Sequence, residues 1–192
     1  MGQRSQIYIA FDSGYRDIRG HITESEGMFL IARYFQWNYG SRMVSRAVGL
    51  VDWIKEYNYA LRSKREILIK VAEVNFDMRS IVNSSDILQM LAGSLDIQHD
   101  TFQRIDNNDG KLFIEIQDDG SIKYAFTDSW ANRPLTAEQY MEWGGYDTEE
   151  SCGSNYPANV RFLSENATLM TQEELGEFMS RSYWNVEHLP LF

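Results

Sequence analysis

Two Asx-Gly turns set between alternating segments constrain this chain more than any other feature. Thr101–Ile105, Lys111–Gln117 and Ser121–Thr127 are separated by Asn107-Asn108-Asp109-Gly110 and by Asp118-Asp119-Gly120. Asn and Asp tolerate left-handed backbone and glycine adopts it freely, so such turns reverse the chain between antiparallel strands. The spacing predicts a three-stranded meander. A second antiparallel pair is expected at the start of the chain. In Gln6–Phe11, Ile7, Ile9 and Phe11 share one face, and Met28–Trp37 is rich in aromatic and β-branched residues. The polar stretch Asp12–Gly27, with Gly14, Gly20 and Gly27, reads as the loop that joins them.

Asn38-Tyr39-Gly40 ends the second strand, and Ser41 is a suitable N-cap. From Arg42 to Leu61 the apolar residues at 43, 44, 47, 48, 50, 51, 54, 57 and 61 form a helical stripe. Lys64–Val74 leans to helix, 75–83 to irregular chain, and Ser84 or Ser85 caps a short helix through Leu91. Thr136 with Gln139 and Thr171 with Glu174 have capping-box spacing, so helices are expected from 137 and 172. Trp143–Val160, with Gly144, Gly145, Gly153 and Pro157, reads as a long loop. No repeat or Pro/Gly/Ser-rich linker divides the 192 residues, and 43% are hydrophobic, enough for one well-buried core. The expected fold is a single α+β domain over 1–192: a mainly antiparallel sheet, made of an N-terminal hairpin and the meander, with a long helix after the second strand.

The formal charge of −10 is unevenly placed. Residues 1–82 hold 12 Lys+Arg against 9 Asp+Glu, or +3, whereas residues 83–192 hold 6 against 19, or −13. Acidic surface keeps proteins soluble, and it also repels nucleic-acid phosphates, which argues against direct, sequence-independent binding to DNA or RNA. A carboxylate face suits a basic partner that normally holds nucleic acid. The candidate residues for that face are Asp106, Asp109, Asp118, Asp119, Asp128, Glu138, Glu142, Asp147, Glu149 and Glu150. One cysteine, Cys152, makes no internal disulfide. The absence of an apolar leader or of a run of about 18 apolar residues points to a soluble, cytoplasmic protein.

A second candidate site lies at the entry to the long helix. Arg42 and Arg46 are four residues apart and share a helical face, although the positive end of a helix prefers carboxylates. A bound anion would resolve that conflict, held by the backbone after Gly40 and Ser41 and by the guanidinium groups, with Arg4 alongside. An acidic patch of the later half of the chain would resolve it equally well, as an internal network. Reaction chemistry has no comparable signal. The 106–110 segment fails as a calcium loop, since Ile105 and Ile116 fall on the first and last ligand positions. His21, His99 and His188 lack metal-ligand spacing, and no GxSxG, GxxxxGK[ST] or GxGxxG is present. Neighbouring carboxylates such as Glu173-Glu174 point apart and make no acid/base pair. We therefore expect no catalytic residue, metal or cofactor. The aromatics Tyr140, Trp143, Tyr146, Tyr156, Tyr183 and Trp184 are more often core than interface.

The segments GQRSQIYI (2–9) and YFQWNYGSRMVSRA (34–47) resemble those of a group of small, uncharacterised proteins of phages and prophages of Gram-positive bacteria. That group opens on Gly-Gln-Arg-Ser and carries Gln-Trp-Asn-Tyr-Gly-x-Arg-Met before a helix; the 12–27 loop departs from the shorter hairpin expected there. The resemblance implies a mobile-element accessory protein and carries over no catalytic residue. With the charge map, it suggests a non-enzymatic inhibitor of a host nucleic-acid-handling defence protein, of the anti-CRISPR type, acting in the host cytoplasm without membrane or direct nucleic-acid contact. The alternative is a small-molecule or phosphate-binding protein built on Arg4, Arg42 and Arg46, and a third reading is a virion component.

Overall fold

The computed structural model describes residues 4–12, 14–36, 40–57, 70, 95–96, 109–146 and 155–185. Strand β1 (Arg4–Asp12) pairs antiparallel with β4 (Met28–Gln36) over its whole length, from Arg4 opposite Gln36 to Asp12 opposite Met28. Strands β6 (Lys111–Ile116) and β7 (Ile122–Thr127) form the hairpin that the Asp118-Asp119-Gly120 turn requires, with Gly120 at φ 81°. The remaining strands of the main sheet are short: β5 (Leu95–Asp96), β8 (Thr168–Leu169) and β9 (Trp184–Asn185). The order is β5-β4-β1-β6-β7-β8, and β9 also pairs with β4.

This is a mixed α+β fold, but its central seam differs from the expected one. Strand β1 runs parallel to β6, from Gln6 opposite Lys111 to Ala10 opposite Glu115. Both edges of β6 are thereby taken, one by β7 and the other by β1, so β1 occupies the third place of the predicted meander. Residues 101–105 lie outside the described residues. Parallel neighbours need a long crossover, and the 37–110 stretch is long enough to supply one. The pairs β7/β8 and β4/β9 are parallel as well, so the sheet is mixed rather than simply antiparallel.

Helices cover both faces. Ile7, Ile9, Phe11, Leu112, Ile114, Ile116, Tyr124 and Phe126 point to one side, which is the alternation read for β1. There they meet α1 (Met43–Tyr57), α2 (Ala137–Gly144) and α3 (Tyr156–Asn166). Tyr8, Ala10, Leu30, Phe113 and Ala125 point to the other side and meet Leu175 and Phe178 of α4 (Gln172–Ser180). Helix α1 buries Met43, Val44, Ala47, Leu50, Val51 and Ile54 of the predicted stripe, while Val48 is half-buried and Tyr57 exposed; 58–61 lie outside the described residues. It is entered through a 3-10 turn over Gly40–Arg42, so Ser41 sits inside that turn. Both capping boxes form: Gln139 N donates to Thr136 Oγ1 and Glu174 N to Thr171 Oγ1, with the reciprocal side-chain bonds in place.

Two stretches read as loop contain structure. Helix α3 begins at Tyr156, inside the predicted 143–160 loop. Pro157 is in its first turn, where a missing N–H costs nothing, so that proline starts a helix here. The other is 12–27, which folds as a small hairpin of β2 (Tyr15–Arg16) and β3 (Ile22–Glu24). Asp12 organises it. Its carboxylate accepts from Gly14 N at 2.7 Å, Glu26 N at 3.0 Å and Gly27 N at 3.3 Å, and from Ser25 Oγ. Burial would push the Asp12 carboxyl up, but these donors together hold it below its usual value.

A depressed folded-state carboxyl stabilises the fold fully above its unfolded pKa, about 3.9, and the gain is lost as pH falls through the folded value. Asp12→Ala is therefore expected to cost about 1–3 kcal/mol at pH 7. The deficit should shrink below about pH 4, as urea unfolding at pH 7 and pH 3 would show.

Candidate functional site

The α1 entry gathers residues from four parts of the chain. Gly40 is buried, and a Cβ there would lie 2.2 Å from Tyr146 Oη and 2.8 Å from Asp109 Cβ, so no larger residue fits. Tyr140 donates its hydroxyl to the Asp109 carbonyl at 2.5 Å, with the Gly40 carbonyl 3.3 Å from the same oxygen. Tyr146 donates to Asp109 Oδ1 at 3.0 Å. Arg46, one turn into α1, is 4% exposed, and its Nη1 lies 3.5 Å from Met43 Sδ. Burial pulls the Arg46 guanidinium down to about 10; Tyr140 and Asp109 oppose that pull, and the charge of Arg42 adds to it. Burial also raises the Tyr140 and Tyr146 hydroxyls, and Asp109 reinforces the shift.

Asp109 thus brings a carboxylate of the later half of the chain near the helix entry, where its charge favours the Arg46 cation. Arg42 is exposed while Arg46 is buried. Arg4 opens β1 opposite Gln36, at the end of the sheet from which the chain enters α1, and its side chain lies outside the description. Ser41 lies in the 3-10 turn beside buried Gly40. Chemically the cluster braces α1, α2 and the approach to β6 together.

The candidate acidic residues do not share one face. Asp109 is buried in that brace. Asp118 and Asp119 are exposed in the β6–β7 turn, while Asp128 follows β7 at the opposite end of the hairpin, about 20 Å away for six extended residues. Glu138 and Glu142 are exposed on α2, on the α1 side of the sheet. Asp106, Asp147, Glu149 and Glu150 lie outside the described residues.

A groove of about 500 Å³ opens at the Asp118–Asp119 end, over an apolar floor of Met28 and Ile116. Its cations are already engaged. Arg181 Nη1 donates to Glu115 Oε1 and Lys123 Nζ to Glu174 Oε1, each at 2.6 Å. Lys123 and the Thr171 N–H hold Glu174 low. Burial lowers the Arg181 guanidinium, but Glu115 outweighs it and raises it overall. Asp119 is held low by Ser121, whose N–H reaches Asp119 Oδ1 at 2.9 Å. The turn is buttressed by the β2–β3 hairpin: Ile22 N donates to the Asp118 carbonyl at 2.8 Å and Arg16 Nη1 to the Gln117 carbonyl at 3.2 Å. The result is an acidic rim on Asp118 and Asp119 over a groove whose inner charges are paired.

Most aromatics singled out in the sequence belong to the interior. Tyr140 is fully buried and stacks on Phe126 at 4.9 Å between centroids, and Tyr183 is half-buried against Phe178 at 5.7 Å. Tyr156 is half-buried against the core and Trp143 is 38% exposed; the Trp184 side chain lies outside the description. Sequence reasoning passed over Trp130, 90% exposed just after β7, and the buried polar row Gln6, Lys111 and Thr127. Nothing in a short polar DSWAN segment or in single polar residues within strands marks such places.

Among the described residues no helix is long and apolar enough to cross a membrane, and no group of three or more His, Cys, Asp or Glu could hold a metal ion. Fold and site together define a mixed-sheet α+β protein, helical on both faces, with a groove at one end whose rim carries Asp118 and Asp119. No protein-family model, curated protein or solved structure matches the chain.

Proposed function

We propose that this chain is a non-enzymatic binding protein that occupies the basic groove of a nucleic-acid-handling protein, with a host defence nuclease as its target. The observation that carries the reading is the acidic rim at the β6–β7 turn, where Asp118 and Asp119 stand exposed while Lys123 and Arg181 spend their charge on Glu174 and Glu115. A pair of carboxylates presented from a tight turn suits guanidinium and ammonium groups that otherwise hold phosphates. Support also comes from the −13 of residues 83–192 and the mobile-element resemblance. The contact surface is narrower than the sequence suggested, because Asp109 is internal and Asp128, Glu138 and Glu142 lie elsewhere.

Expression in a bacterium whose RNA-guided nuclease targets an infecting phage is expected to restore plaque formation. With purified components, binding should compete with the nucleic acid and weaken roughly tenfold or more between about 0.05 and 0.5 M salt. Asp118→Lys with Asp119→Lys should abolish both effects. Affinity that ignores salt and adds to nucleic-acid binding overturns the reading.

A further inference from the structure

We infer that the α4 side of the sheet holds a small-oxyanion site built on Lys111 and Gln6. The inference is independent of the acidic rim, which lies beyond the other end of β6. Gln6, Lys111 and Thr127 stand directly opposite one another on β1, β6 and β7, and alternation puts all three on the face of Tyr8 and Phe113. They are 0%, 3% and 0% exposed. A polar row buried this deeply must satisfy its donors internally.

It does not. Tyr8 donates its hydroxyl to Gln6 Oε1 at 2.6 Å, which fixes the orientation of the amide and leaves Gln6 Nε2 buried with no acceptor. Thr127 donates its hydroxyl to the Asp128 carbonyl at 3.1 Å. Lys111 Nζ donates to Asn132 Oδ1 at 2.8 Å, its one acceptor among the described residues, although an ammonium carries three N–H bonds. Burial lowers the Lys111 amine, and the more distant charge of Asp128 opposes that shift. The neighbourhood has a surplus of N–H donors and a buried cation, and the ligand class that completes both is an oxygen anion, a carboxylate or a phosphate. One oxygen would accept from Lys111 Nζ and another from Gln6 Nε2.

The 128–132 loop touches this row through Asn132 Oδ1 and the Asp128 carbonyl. Asp128 Oδ1 accepts from Trp130 N at 2.8 Å and from Ala131 N, and Gln172 Nε2 of α4 donates to the Asn132 carbonyl at 3.1 Å. The loop offers Asn132 Oδ1 to Lys111 as a neutral acceptor, which an entering anion would supplement or displace. Trp130 stands exposed on the same loop.

The test uses the full chain with inorganic phosphate and, separately, acetate, against sodium chloride at matched ionic strength. Phosphate at tenfold its Kd should raise the melting temperature by about 3 °C. It should also shift the Gln6 side-chain amide resonances in the unsubstituted protein. Lys111→Met and Gln6→Leu should each remove the thermal response. Methionine is close to lysine in volume and removes a buried charge, so the first variant should fold. Gln6 amide resonances unmoved by either anion overturn the inference, as does a thermal response that persists in both variants. Failure here leaves salt-sensitive competition at Asp118 and Asp119 untouched, so the two readings fail separately.

Discussion

Phe113→Ala is expected to destabilise the fold by about 3–5 kcal/mol, the range for deleting a buried aromatic. For a chain of this size that lowers the melting temperature by roughly 10 °C. Phe113 sits at the centre of β6, between β1 and β7, and is fully buried. Its ring stacks on Tyr8 at 4.8 Å and meets Phe178 of α4 edge-on at 5.3 Å. This one side chain therefore joins the parallel seam of the sheet to the helix that covers it. Truncation leaves a void among rigid strands that cannot close up, and loosens both aromatic contacts at once. Trp130→Ala removes a larger side chain, yet at 90% exposure it should change stability by no more than about 0.5 kcal/mol. Urea denaturation of the two variants side by side tests the placement of the second core. A mild loss for Phe113→Ala would mean that α4 does not seal that face.

Local patterns carried through to the structure where each is complete within a few residues. The Asp118-Asp119-Gly120 turn, both capping boxes and the apolar stripe of α1 are signals of that kind. The parallel β1/β6 seam was not legible, because nothing in IYIA or LFIE specifies a neighbour about a hundred residues away. Both faces of β6 are buried, including Lys111 and Glu115, a burial that single polar residues within a strand do not announce. Glu115 is tolerated there because Arg181 reaches it from beyond α4. Pro157 misled in the opposite sense: proline breaks helices in their interior but fits their first turn.

The candidate site shows the same divide between local and distant causes. An Asp-Gly pair between strands reads as exposed turn chemistry, and this held for Asp118 and Asp119. It misplaced Asp109, whose surroundings come from Gly40, Tyr140 and Tyr146, dozens of residues away in either direction. The conflict that the sequence did reveal, two arginines at a helix start, pointed to the right place. It left open whether the compensating anion would be internal or external; an internal answer would be Asp109, whose charge favours the Arg46 cation.

That answer has a measurable consequence. If Asp109 is the compensating anion, Arg46→Met is expected to cost about 3–5 kcal/mol, because a buried carboxylate then loses a favourable charge. The guanidinium is pulled down only to about 10, so it carries its charge throughout the neutral range, and the loss should be nearly flat between pH 6 and 8. Asp109→Asn in the same chain should recover much of it, since an amide oxygen can still accept from Tyr146 and no longer needs a counter-charge. The coupling between the two substitutions should reach about 1–3 kcal/mol. An external-anion site at this helix entry would behave differently. There Arg46→Met would relieve a buried charge at little cost, while removing any stabilisation by added phosphate. Unfolding of the two single variants and the double, each with and without phosphate, separates the cases. A single variant as stable as the parent would show that Arg46 and Asp109 do not depend on each other, and the brace between α1, α2 and β6 would need another source.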